Sequence, residues 1–188
     1  MVGIFFIRIS PGAARAPNSV SGTGAYRGRV RGDGNGWVVS ATGNRYWGRY
    51  GAAGLLLRAP APDGSCAVLL QRRSRWSHQG GTWGLPGGAR DSHETPEQAA
   101  IRETYEETGV RPDQIELRAS VVTAVPFGTH WTYTTVIADA VELLPVVGCA
   151  ESAELRWVNE DRVVDLRLHP GLANSWQKLR GMLTLTAT

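Results

Sequence analysis

The alternation of apolar and polar positions predicts a chain that is mostly β from residue 36 onward, with two helices. Short apolar runs bounded by Gly, Pro, Asn and Asp predict a hairpin over 36–48 and strands over 52–58, 66–72, 116–125, 133–141 and 155–158. The stretch 74–88 is rich in glycine, so we expect a long loop there.

The clearest helix signal begins at Thr95. Thr95 is a good N-cap, Pro96 suits the first helical position, and Gln98 completes a capping-box pattern. Gly109 supplies a left-handed stop, so the sequence predicts a helix at about 96–108. A second helix is predicted after 169–171, from apolar residues at helical spacing up to residue 183. Strands surrounding one short helix, with a second helix at the end, predict an α+β fold with a mixed sheet.

The first helix carries an unusual acidic cluster. Glu103, Glu106 and Glu107 stand at i, i+3 and i+4, so they project from one face within an arc of roughly 100°. Like charges at this spacing destabilise an isolated helix by a few tenths of a kcal/mol each. A divalent cation would remove that repulsion, and a site with only oxygen ligands suits a hard ion such as Mg²⁺, with Mn²⁺ as a substitute. A solvated surface is the common alternative for an isolated cluster of this kind.

The spacing around the cluster is more specific than the cluster itself. Gly88, five residues, Glu94, seven residues and then Arg102-Glu103, followed by Glu106, Glu107, Gly109 and Val110, resembles the Nudix box of the Nudix hydrolase family. The preceding Trp83-x-x-Pro86-Gly87-Gly88 also resembles the approach to such a box. Thr104 departs from the pattern, since the family prefers a larger aliphatic residue there.

The resemblance implies a Nudix-type α/β/α sandwich over roughly residues 48–182. It also implies a metal site formed by Glu103, Glu106, Glu107 and a backbone carbonyl of Gly87 or Gly88, the latter being our choice. Arg102 and Glu94 are expected to position these ligands. The implied activity is Mg²⁺-dependent cleavage of a diphosphate bond in a nucleoside diphosphate linked to another moiety.

The general base and the substrate contacts are less well determined by the sequence. Glu103 and Glu154 both qualify as the base, and Glu151 is a third candidate; solvated loop acids are the alternative for the last two. Arg72 and Arg73 could bind phosphate, and strand alternation directs only one of the two towards the site. Trp131 could stack on a purine, the alternative being ordinary packing.

Composition narrows the setting. The 188 residues carry 20 basic and 17 acidic side chains, and the formal net charge of +3 suits anionic small ligands without indicating nucleic-acid binding. Residues 1–33 contain five arginines against one aspartate and are expected to form a basic, disordered extension, with the catalytic domain at 34–188. Two cysteines are expected as buried free thiols of a cytoplasmic protein. No apolar run reaches the length of a membrane span.

The sequence leaves three functions open. The favoured one is a mutator-type enzyme that releases pyrophosphate from an intact or damaged nucleoside triphosphate. The alternatives are an ADP-ribose or nucleotide-sugar pyrophosphatase, and a catalytically silent Nudix domain that binds a nucleotide and regulates a partner. A homodimer is also open, with the hairpin at 36–48 as a candidate contact.

Overall fold

The fold is described in a computed structural model for residues 32–150 and 152–185. In chain order its strands and α-helices are β1 (Trp37–Val39), β2 (Arg45–Trp47), β3 (Ala52–Pro60), β4 (Cys66–Arg73), β5 (Trp83–Gly84), β6 (Gly87–Ala89), α1 (Pro96–Thr108), β7 (Glu116–Ala124), β8 (Tyr133–Asp139), β9 (Ser152–Asn159) and α2 (Pro170–Leu185). Two 3₁₀ turns, Pro112–Gln114 and Glu160–Asp165, connect neighbouring elements.

Strands β3 to β9 form one mixed sheet, and β1 and β2 form a separate hairpin. Strand β3 runs parallel to β8, with Ala52 opposite Tyr133, and antiparallel to β4 and β6. Strand β4 runs antiparallel to β9, with Arg73 opposite Ser152. The starts of β3, β8 and β9 and the end of β4 therefore meet at one end of the sheet, which we call the catalytic end.

Each face of the sheet is covered by one helix. Leu55 packs in a cluster with Ala99 of α1, whereas Leu56 packs in a second cluster with Trp176 of α2. Because neighbouring residues of a strand point to opposite faces, β3 contributes to both cores. Full burial of each leucine stabilises the fold by about 1.5–3 kcal/mol. The predicted α+β fold, an α/β/α sandwich with a mixed sheet, is confirmed.

Helix α1 begins and ends as its sequence predicts. The Gln98 backbone N–H donates to the Thr95 hydroxyl at 3.3 Å, and the Thr95 N–H donates to the Gln98 side chain at 2.9 Å. At the other end Gly109 has a φ of 75°, and its N–H donates to the Tyr105 carbonyl. Local capping therefore sets both ends of α1, and with them the register of the acidic residues along the helix.

Three expectations need correction. The stretch 74–88 is not one loop, because it contains β5 and most of β6, which pair with β4 and β3. Strands of two or three residues show no recognisable alternation, so the sequence pattern misses them. The last strand is longer than predicted and begins at Ser152. Cys66 and Cys149 are free thiols, as expected, but both are half-exposed rather than buried.

Most of the expected N-terminal extension lies outside the described residues, as does Glu151. Asp33, the last residue of the expected extension, accepts hydrogen bonds from the N–H and hydroxyl of Ser92. In the part of the chain that the structure covers, we find no helix with the length and apolar character of a membrane span.

The departure at Thr104 generates a stability prediction. Its hydroxyl is buried and has no hydrogen-bond partner among the described residues, whereas the Thr108 hydroxyl donates to the Thr104 carbonyl at 2.7 Å. An unpaired buried hydroxyl costs about 1–3 kcal/mol. We expect Thr104→Val to raise the free energy of unfolding by about 1 kcal/mol in urea denaturation. The matched change Thr108→Val removes a satisfied hydroxyl and should lower it; equal effects of the two changes would contradict this account.

Candidate active site

The acidic face of α1 lies against residues 85–88, which run from a bend at Pro86 into β6 and which we call the glycine turn. A Cβ atom placed on Gly88 would lie 2.6 Å from the carboxylate carbon of Glu103, so a side chain at this position would displace that carboxylate. Gly88 is opposite Ala53 at the start of β3, which holds the turn at the catalytic end. The sheet and the helix thus bring a backbone segment and the Glu103 carboxylate together.

Glu107 is the buried member of the cluster. Its Oε2 atom accepts a hydrogen bond of 2.9 Å from the backbone N–H of Gly87. Gly87 itself has no room for a side chain, because a Cβ atom there would collide with Ala53 and Gly54 of β3. The bond therefore ties α1 to β6, which pairs with the central strand β3.

Arg102 contacts four other residues of the segment 88–110. Its Nε and Nη2 atoms donate to the two carboxylate oxygens of Glu94 at 2.6 and 2.9 Å, and Nη1 donates to Glu103 at 2.8 Å. Nη2 also donates to the Ala89 carbonyl at 3.0 Å, and Nη1 lies 3.8 Å from Glu106. The planar guanidinium suits such bidentate contacts. One side chain thus orients two members of the glutamate cluster.

The charges of this network stabilise one another. The hydrogen bonds from Arg102 lower the pKa of Glu94, against the opposing effect of burial. In turn the hydrogen bond to Glu94, followed in strength by the bond to Glu103, raises the pKa of the Arg102 guanidinium. Glu94 also accepts from the Asp91 backbone N–H at 3.0 Å. Glu94 is therefore a carboxylate whose oxygens are used for positioning.

The three other predicted polar residues lie at the catalytic end. Glu154 is opposite Arg72 in the sheet, and their charged atoms are 3.8 Å apart. Arg156 donates through Nε to Glu154 at 3.0 Å and makes a second, very short contact through Nη2. Arg73 donates through Nε to the His78 carbonyl at 3.0 Å. Topology therefore brings Arg72, Arg73 and Glu154 to the sheet end that holds the glycine turn.

Trp131 has a different environment from the one that base stacking requires. It is only 7% exposed, and its indole N–H donates to the Trp47 carbonyl at 3.0 Å. Its ring packs on Tyr46 with centroids 4.9 Å apart. These contacts fit the packing alternative, and a direct substrate contact by Trp131 stays a prediction.

Sequence reasoning missed two groups at this end. The Tyr133 hydroxyl lies over Gly54, where any side chain would collide with it, and burial together with the charge of Glu107 raises the pKa of Tyr133. Burial, reinforced by the charges of Arg73 and His78, lowers the pKa of His169 to about 4. Both groups are therefore neutral near pH 7. Tyr133 reaches this end through the parallel pairing of β3 with β8, and His169 is held there because its N–H donates to the Trp83 carbonyl of β5 at 2.7 Å. The local sequence has no signal for either contact.

A second acidic group lies beside the start of α1. One ligand atom each from Asp33, Asp91 and His93 lies within 4.8 Å of the others. Asp33 bonds Ser92, and Asp91 accepts from the Gly34 N–H at 2.7 Å, so these carboxylates already have partners. The glutamate cluster of α1 is distinct from this group in its residues and its spacing.

Comparison with known proteins agrees with the geometry. The NUDIX domain model matches residues 49–179, which is more than half of the chain. The chain belongs to the Nudix hydrolase family. This Nudix hydrolase acts on phosphoanhydride bonds, and the family in general uses divalent metals. The predicted family and enzyme class are thereby confirmed.

Three proteins illustrate the similarity. A Mycobacterium tuberculosis protein named "Putative 8-oxo-dGTP diphosphatase 3" is 70% identical over 159 residues, which cover 83% of this chain and 73% of the relative. The crystal structure of a Nudix hydrolase from M. smegmatis, RenU, is 62% identical with a TM-score of 0.79, covering 82% of this chain and 98% of that one. A Bifidobacterium longum fusion of a nucleoside triphosphate pyrophosphatase and a Nudix hydrolase is 39% identical over 82% of this chain and 33% of its own length.

The lowered pKa of Glu94 generates a prediction about pH. A carboxyl whose folded pKa is below its unfolded value of 4.5 contributes stability that is fully present above that value and is lost as the pH falls through the folded pKa. We expect Glu94→Gln to lower the free energy of unfolding by about 1.5–3 kcal/mol near neutral pH, since hydrogen bonds to charged groups contribute about that much.

The measurement is denaturant unfolding of both proteins from about pH 7 down to about pH 3, the range over which carboxyl linkage acts. The difference between the two curves should shrink as the pH falls below 4.5. Two curves that stay parallel across this range would show that Glu94 does not act through its charge.

Proposed function

We propose that this Nudix hydrolase cleaves nucleoside triphosphates, with oxidised purine nucleotides as its preferred class, to a nucleoside monophosphate and pyrophosphate, using Mg²⁺. The observation that carries the proposal is the complete glutamate cluster of α1, held by Arg102 against the glycine turn. Support for the substrate class comes from the relative named "Putative 8-oxo-dGTP diphosphatase 3", whose 70% identity extends over most of both chains.

The residues fit a divalent ion. Glu103, Glu106 and Glu107 offer oxygen ligands on one helix face, and the backbone of Gly88 lies beside the Glu103 carboxylate. A Nudix domain that served only to bind a nucleotide would not need three mutually repelling carboxylates. We assign the ion to these glutamates and to the Gly88 carbonyl. When bound, Mg²⁺ would neutralise phosphate oxygens and lower the pKa of a coordinated water.

The chain's own residues supply positioning and proton transfer. In the hydrolysis a water oxygen forms a bond to one phosphorus of the α,β-anhydride, the bridging P–O bond breaks with its electron pair on the leaving phosphate, and the water gives up a proton to a base. Arg72 and Arg73 stand at the end of β4, and the one that strand alternation directs towards the site would hold phosphate oxygens. Arg102 does not contact substrate; it holds Glu103 and Glu94 in place.

Two described carboxylates compete for the role of base. Glu103 belongs to the cluster and lies against Gly88, whereas Glu154 is engaged by Arg156 and lies beside Arg72. We assign the base to Glu103 because it belongs to the glutamate cluster and lies against Gly88. Glu154 then orients the arginines of the phosphate site, a role that affects binding more than the chemical step.

A substrate panel tests the proposal. Pyrophosphate and phosphate release would be measured with Mg²⁺ for normal and oxidised nucleoside triphosphates, ADP-ribose and nucleotide sugars. We expect pyrophosphate from the triphosphates, and an approximately 100-fold or greater loss of kcat in Glu106→Gln, since several kcal/mol of metal-dependent stabilisation disappear at tenfold per 1.36 kcal/mol. The surface change Glu142→Gln, on the exposed segment that follows β8, is the control and should leave the rate unchanged.

The same assay separates the alternatives. AMP together with a sugar phosphate as the products would assign the chain to ADP-ribose or nucleotide-sugar substrates. Absence of turnover for every compound, with nucleotide binding retained, would overturn the enzyme assignment at this site. Glu154→Gln distinguishes the two bases, because a role in orientation predicts a raised KM with kcat within about threefold, whereas a role as base predicts a loss of kcat of about 100-fold or more.

A further inference from the structure

The hairpin β1–β2 lies outside the residues matched by the family model, which begin at Arg49. It is attached firmly to the loop before β8. The Trp47 carbonyl accepts from the indole of Trp131, Tyr46 packs on the same ring, and the Ala41 N–H donates to the Phe127 carbonyl at 3.3 Å. The hairpin therefore has a defined position beside the residues that the family model matches.

The hairpin reaches across the catalytic end to the loop that follows β4. Trp37 meets the ring of His78 edge to face, with centroids 5.7 Å apart. The carbonyl of His78 is the acceptor for Arg73, one of the two arginines placed at the phosphate site. Because the start of β8 and the end of β4 lie at the same end of the sheet, the hairpin spans the opening between them.

The face of the hairpin at this opening is aromatic and remains accessible. Trp37 and Trp47 are cross-strand partners with ring centroids 5.1 Å apart, and they are 40% and 42% exposed. The guanidinium of Arg45 lies 4.8 Å from the centre of the Trp37 ring. The Arg45–Trp37 contact is a favourable cation–π interaction, and the exposed indole surface together with the positive charge suits an aromatic ligand that carries negative charge.

We propose that Trp37 is a specificity-determining residue that stacks on the nucleobase of the substrate, with Trp47 and Arg45 supporting its ring. The proposal rests on the proposed function, since it assigns the base end of the same nucleotide whose phosphates are bound at the end of β4. His78 links the two ends, because its ring touches Trp37 while its carbonyl holds Arg73.

A nucleotide fits this face better than a second copy of the chain. A twofold dimer built on the hairpin would bring the same patch of each copy together, and strands β1 and β2 carry Arg45 but no acidic residue that could pair with it. A nucleotide instead offers a planar ring for the tryptophan and phosphates for the neighbouring arginines. Stacking of a base on an aromatic side chain is sequence-tolerant and depends on the ring rather than on hydrogen bonds.

The test compares binding with and without the base. Calorimetric titration of the full chain with Mg²⁺ would use a purine nucleoside monophosphate and, as the base-free probe, deoxyribose 5-phosphate. We expect Trp37→Ala to weaken the nucleotide about 5- to 150-fold, the range that alanine substitution at a stacking residue gives, and to leave the base-free probe within twofold. Trp37→Phe should retain most of the affinity, whereas Trp37→Leu, which keeps apolar packing without a ring, should resemble Trp37→Ala.

The control is Tyr105→Ala, which removes another exposed aromatic ring, 52% exposed, from the surface of α1. It should leave both affinities unchanged. In steady-state hydrolysis Trp37→Ala should raise KM for the triphosphate with kcat within about threefold, because a ring that binds substrate and transition state equally affects KM alone.

The outcomes separate this inference from the proposed function. Normal hydrolysis with an unchanged nucleotide affinity in Trp37→Ala would overturn the stacking role and leave the enzyme assignment intact. No hydrolysis by the unaltered chain, with base-dependent binding that Trp37→Ala weakens, would overturn the proposed function and leave the stacking role. Equal weakening of nucleotide binding in the Leu, Phe and Ala variants would show that Trp37 has only a structural role. A dimer that Trp37→Ala converts to a monomer in light scattering would assign the face to a second copy of the chain. Either result overturns the inference.

Discussion

The active site depends on the placement of one guanidinium group. Arg102 contacts Glu94, Glu103 and the Ala89 carbonyl at the same time, so it joins the loop before α1, the helix and the glycine turn. Without that cation, the carboxylates at the start of the box would repel one another across a half-buried site. With it, the Glu103 carboxylate is held against Gly88, where a side chain would displace it. Charge pairing and the absence of a Cβ atom therefore act together.

The sheet gives this local arrangement its chemical context. Parallel pairing of β3 with β8, and antiparallel pairing of β4 with its neighbours, gather Arg72, Arg73 and Glu154 at the end where the glycine turn lies. The hairpin, which precedes the residues matched by the family model, extends over the same end through Trp131 on one side and His78 on the other. Our proposals thus divide the nucleotide between two parts of the chain, with the phosphates at the sheet end and the base at the hairpin.

Local signals allowed a large part of the structure to be predicted. Helix α1 has both boundaries where Thr95, Pro96 and Gly109 place them, because capping depends only on neighbouring residues. The short strands β5 and β6 were missed because their existence depends on pairing with distant segments. The environments of Trp131 and Tyr133 could not be foreseen for the same reason: an alternating pattern shows which residues share a face, and long-range register decides what covers that face.

Anomalous diffraction from crystals soaked in Mn²⁺ tests the central claim, that the glutamates of α1 form the metal site of this Nudix hydrolase. A difference peak among the carboxylates of Glu103, Glu106 and Glu107, absent from Glu106→Gln crystals under the same soak, is the expected result. The nearby group of Asp33, Asp91 and His93 provides an internal comparison in the same map. A peak at that group with none at the α1 glutamates would contradict the account.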